Sequence, residues 1–121
     1  MQFSITVAAA LAVATLGAAY ANAGDAERGH IIYQACMDCH DLDKNDVGPK
    51  HRAVFGRKAG SIADYDYSDA LKAANFTWDE KSLDRWLTDP QAFVPGVKMF
   101  FQLEARQDRD DVIAFLRERA K

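Results

Sequence analysis

The sequence predicts an all-α domain, three main helices plus short turns, wrapped around something other than regular secondary structure. Three observations lead there. Apolar residues recur at spacings of three and four in separate stretches, the period of a helix with one buried face. No stretch shows the strict alternation of a half-buried strand. The segments 41–67 and 91–107 are too long for structureless loops in a small domain unless something else organises them.

Each element has a reason, taken in chain order. Residues 1–23 carry no charged side chain and hold 17 apolar ones, and an apolar run ends in Ala21-Asn22-Ala23, the small-x-small pattern of a cleavable secretory signal peptide. An uncleaved membrane anchor is the alternative. Alanine dominates the segment, however, and favours cleavage and export, to a bacterial periplasm rather than a mitochondrion, whose presequences are Arg-rich. All 15 Lys+Arg and 18 Asp+Glu fall in residues 24–121, which suffice for one small core. The net charge of −3 argues against a nucleic-acid binder, which would be basic.

Residues 25–35 predict the first helix, with Asp25 and Glu27 where the helix dipole favours negative charge. A short helical turn is expected over 68–74. The second main helix is expected to open at Thr77-Trp78-Asp79-Glu80 as a capping box, to bury Leu83, Trp86 and Leu87, and to stop at Pro90. The last is expected to be capped at Asp108 and to present Val112, Phe115 and Leu116.

What organises the loops is a cofactor. Cys36-Met37-Asp38-Cys39-His40 is C-x-x-C-H, in which two thiols can add to both haem vinyl groups while the adjacent imidazole faces the iron. A zinc site would have only His30 and His51 left to complete it, without paired spacing. A dithiol redox site would need a βαβ context that is absent. The motif therefore reads as attachment of one haem c through Cys36 and Cys39. For the sixth iron ligand, Met37 lies within the attachment loop, which leaves Met99 in the Pro95-Gly96 turn region. His30 and His51, among polar neighbours, read as surface residues.

With these anchors the chain resembles the class I c-type cytochromes, the family of mitochondrial cytochrome c and bacterial cytochrome c2. The resemblance runs from Gly24 to about Arg117. It is carried by Gly24-Asp25-Ala26-Glu27-Arg28-Gly29, C-x-x-C-H, Val47-Gly48-Pro49, Val54-Phe55-Gly56-Arg57-Lys58, Tyr65-Asp66-Tyr67-Ser68-Asp69-Ala70, Thr77-Trp78, Pro95-Gly96-Val97-Lys98-Met99 and Asp111-Val112-Ile113-Ala114-Phe115-Leu116. It implies the small cytochrome c fold, with His40 and Met99 as metal ligands and the Pro49 carbonyl accepting from the other His40 nitrogen. It further implies Gly29 at a close helix crossing with Tyr33 near Phe115, and Arg57, Tyr67, Ser68 and Trp78 around a buried haem propionate. Phe101 matches the aromatic guard of the haem edge.

Departures matter too. Leu71, Trp86 and Val97 stand where the family commonly has Asn, Tyr and Thr, which predicts a drier crevice. Ala35, Gln91 and Ala92 replace residues that are often basic, leaving Lys98 with Arg106, while Asp38, Asp41, Asp43 and Asp46 are acidic; steering toward an acidic partner is expected to be modest.

The resemblance implies a monomeric periplasmic one-electron carrier, not an enzyme. Its expected partners are a quinol–cytochrome c oxidoreductase, a terminal oxidase or a photosynthetic reaction centre. The rivals are a haem peroxidase or gas binder with Met99 off the iron, and a membrane-anchored cytochrome subunit.

Overall fold

The computed structural model describes residues 1–2 and 24–121. The leader expected over 1–23 lies, from Phe3 onward, outside the described residues. Helix α1 spans Ala26–Tyr33, opened by Asp25, whose carboxylate accepts from the amides of Glu27 and Arg28 and so satisfies two otherwise unpaired donors. It ends two residues short of expectation because Gln34–Asp38 tightens into a 3₁₀ turn. The turn folds back so that the amides of Cys39 and His40 both reach the Cys36 carbonyl.

Helix α2 is Asp69–Ala73, capped by the Ser68 hydroxyl accepting from the Leu71 amide. Helix α3, Glu80–Thr88, starts later than the expected Thr77. The reason is tertiary. The chain through Thr77 and Trp78 is extended and pairs with a segment some twenty residues upstream: Lys58 bridges Thr77, the Trp78 amide donates to the Arg57 carbonyl, and Gly56 donates to Trp78. Helical backbone cannot begin while those bonds are made, so the capping box falls to Asp79 and Ser82.

Pro90 ends α3, as expected, but is also the first residue of α4, Pro90–Phe93, a position where its missing N–H costs nothing. Helix α5, Arg106–Glu118, begins before the expected Asp108 and has no side-chain cap. Asp108 instead accepts from Arg28 at 2.7 Å. Among the described residues the Lys58–Thr77 bridge is the extent of β pairing.

The core forms where α1 crosses α5. A Cβ on Gly29 would run into the Asp111 carbonyl, so only glycine lets the two backbones approach this closely. Beside the crossing, the rings of Tyr33 and Phe115 meet at 4.9 Å. The Asp111 carboxylate, fully buried, accepts from the Asp25 amide at 2.8 Å, from Gln107 at 2.9 Å and from the Arg28 guanidinium. Burial pushes this carboxyl up, but those three donors outweigh it and hold it below the usual carboxylate range. Helix α3 joins α5 through Leu83 and Leu87 and through Arg109, which pairs with Asp84 at 2.7 Å. Helices α1, α2, α3 and α5 line a central space.

Candidate functional site

That space is a cavity of about 410 Å³ with Cys36, Cys39, His40 and Met99 in its lining, along with Leu71, Trp86 and Val97. The three substituted positions do form apolar wall. Cys36 is half-buried and Cys39 exposed, and they are not joined to each other. Burial and the neighbouring Cys39 push the Cys36 thiol up to about 11, the opposite of the depressed value a dithiol redox site uses.

His40 is held from several sides. Its Nδ1 lies 2.8 Å from the Pro49 carbonyl, which fixes the tautomer with Nε2 as the free acceptor. The backbone between is tied by the Gly48 amide donating to the Cys39 carbonyl at 2.8 Å. A Cβ on Gly48 would overlap the imidazole, so the absence of a side chain there is what admits the ring. Burial holds His40 below the ordinary imidazole range, partly offset by the Pro49 carbonyl. That shift favours the neutral ring, the form in which an imidazole binds a metal.

His51 corrects the sequence reading. It is half-buried rather than exposed: it lines the cavity, stacks on His40 with centroids 3.9 Å apart, and its Nδ1 shares a 2.9 Å hydrogen bond with the Tyr33 hydroxyl. Burial, with His40 and Arg57 nearby, pushes it well below the usual imidazole range. His30 is exposed, as expected, though its ring stacks on Phe115 at 5.0 Å.

Met99 is half-buried in the segment that follows α4. Gln91, seen in sequence only as a lost basic residue, donates its amide to the carbonyls of Val97 at 2.7 Å and Met99 at 2.9 Å. Lys98 donates to the Asp66 carbonyl at 2.7 Å. Phe101 lines the cavity and Phe100 beside it stands largely in solvent.

Arg57, Tyr67, Ser68 and Trp78 all reach the cavity. Arg57 is the informative one. Its guanidinium donates to the carbonyls of Lys50 and Arg52 at 2.9 and 3.1 Å, and no carboxylate among the described residues pairs with it. Burial pushes it below its ordinary value. A half-buried cation on an apolar cavity wall loses part of its hydration, a cost that an anion brought into the cavity would offset. The Tyr67 hydroxyl accepts from the Ile62 amide at 3.2 Å and the Ser68 hydroxyl caps α2, so each keeps its own O–H to donate. An apolar cavity with paired thiols, a neutral imidazole, a thioether and an uncompensated cation fits a propionate-bearing haem.

Comparison with known proteins agrees. The family model described as Cytochrome c matches residues 26–120. The chain is 46% identical over 118 residues to cytochrome c2 of Rhodomicrobium vannielii, covering 88% of this chain and 94% of that protein. It is 40% identical over 103 residues to a cytochrome c of Arabidopsis thaliana, covering 81% and 92%. Among solved structures, cytochrome cH from Methylobacterium extorquens superposes with a TM-score of 0.75 at 46% identity, covering 78% of this chain and 98% of that one.

Proposed function

The chain belongs to the cytochrome c family, and from that premise we propose that it is an exported one-electron carrier whose haem iron is held between His40 and Met99. It is an electron-transfer protein rather than an enzyme, carries haem c covalently through its two cysteines, and exchanges electrons with redox partner proteins. No helix among the described residues is long and apolar enough to cross a membrane.

The observation that carries the ligand assignment is the meeting of Cys36, Cys39, His40 and Met99 on one apolar cavity. When bound, the haem supplies the ferric–ferrous couple. The chain's residues do the rest. His40, oriented by Pro49, and the Met99 thioether would hold the iron, and thioether ligation would favour its ferrous state. Leu71, Val97 and Trp86 give the cavity an apolar wall; its low dielectric disfavours the additional charge of ferric haem and raises the potential, whereas the loss of a donor toward the Met99 sulfur lowers it. Arg57 would neutralise a propionate, with Tyr67, Ser68 and Trp78 lending donors. Residues 1–23 are a leader removed on export to the periplasm. The partners there are redox proteins of the kind of a quinol–cytochrome c oxidoreductase, a terminal oxidase or a photosynthetic reaction centre.

Two measurements test this reading. The ferric exported protein should show the sulfur-to-iron charge-transfer band of a Met-ligated low-spin haem; a high-spin ferric spectrum overturns the ligand set. Intact mass should correspond to residues 24–121 plus one haem, whereas a retained N-terminus overturns cleavage.

A further inference from the structure

The segment carrying Met99 contains no regular secondary structure of its own, so its backbone must be held by something else. Asp89 fixes one end of the arrangement. Its carboxylate accepts from the amides of Gln91 and Ala92 at 3.0 and 3.1 Å, anchoring the first turn of α4. From that turn the Gln91 side chain reaches across to the returning chain. One nitrogen, Nε2, donates to both the Val97 and the Met99 carbonyls, on either side of Lys98.

The chemistry of the contact is specific. Two carbonyl oxygens face the group, so it must bring two donors from one atom, which a primary amide nitrogen does. Turning the amide over would set oxygen against oxygen. A carboxylate of the same length would do the same with added charge. Val97 is buried and Met99 half-buried, so the clasped stretch is part of the cavity wall. Of the other ties on this stretch, the Val97 amide reaches only the nearby Val94 carbonyl, at 3.3 Å, and that of Lys98 to Asp66 runs between exposed residues and is worth little in water.

We propose that Gln91 is a positioning residue for the sixth ligand: its amide clasps the Val97–Met99 backbone and sets how often the Met99 thioether leaves the iron. This rests on Met99 being the ligand. An exogenous ligand can bind only when the loop is open, so its apparent affinity scales with the open fraction. At the lower end of what hydrogen bonds to carbonyls contribute net, losing the two raises the open fraction roughly tenfold.

The test titrates ferric holoprotein with imidazole and follows loss of the sulfur-to-iron band in wild type, Gln91→Leu and Gln91→Glu. The leucine variant fills the space without donors and should bind imidazole about tenfold more tightly. The glutamate variant should bind more tightly still. Both should retain the band without imidazole. If one variant fails to hold haem, the other decides. Affinities within twofold of wild type, with or without a lower melting temperature, overturn the clasp while leaving Met ligation standing. A wild-type protein without the band overturns Met ligation, and the clasp with it.

Discussion

The His40 side of the cavity and the Met99 segment are built by different means. Around His40 the constraints are packed and redundant. Pro49 fixes one ring nitrogen, Gly48 gives the ring its space, and His51 lies against its face. Behind them, Tyr33 joins His51 to the α1–α5 crossing. Around Met99 the constraints are few and directional: one glutamine amide, the Val97 amide donating to the Val94 carbonyl at 3.3 Å, and one exposed lysine tie. A packed interior is deformed only at high cost, whereas loop hydrogen bonds open locally at a fraction of the global stability. The imidazole side is thus tied to the fold as a whole, while the thioether side can yield alone.

Substitutions can break that division. Met99→Ala should have the largest effect, lowering the reduction potential and raising imidazole affinity well beyond the tenfold expected for Gln91→Leu; an unchanged potential would assign the ligand elsewhere. Gly29→Ala sets a methyl group against the Asp111 backbone. Such overpacking costs about 3 kcal/mol, a fall in melting temperature of roughly 15 °C for a domain this size. Its charge-transfer band and imidazole affinity should stay those of wild type below the transition. If they change first, the two sides are not independent.

Asp111→Asn should cost about 1–3 kcal/mol at neutral pH by weakening the hydrogen bonds at the crossing. Because the folded carboxyl lies below its unfolded value, its contribution is complete above about pH 4 and is lost as pH falls through the folded value. Denaturant midpoints of wild type and variant should therefore converge in acid; parallel curves would remove Asp111 from the account. Smallest is Tyr33→Phe, which should cost about 1 kcal/mol and leave imidazole affinity unaltered, since it acts on the His40 side.

Legibility in the sequence followed the range of each interaction. C-x-x-C-H could be read because its residues act within one turn of chain. The short turn over 68–74 could be read because the bonds that make it, such as the Leu71 amide to the Ser68 hydroxyl, join residues three apart. Thr77 was misread because an extended pairing with Lys58 outcompetes the local capping signal. Asp108 was misread because Arg28, eighty residues away, claims its carboxylate. His51 looked polar and exposed until Tyr33 and His40 were brought against it.

The amino-acid order alone determined an all-α chain, the haem attachment point and Met99 as the candidate sixth ligand, since periodicity, a five-residue motif and the position of a rare residue are local properties. Only the tertiary structure decided what fixes those groups: the extended pairing that delays α3, the imidazole stacked on His40 and the amide spanning Val97 and Met99. Each is a contact between segments whose approach depends on the whole packed core, and no short stretch of sequence encodes that approach.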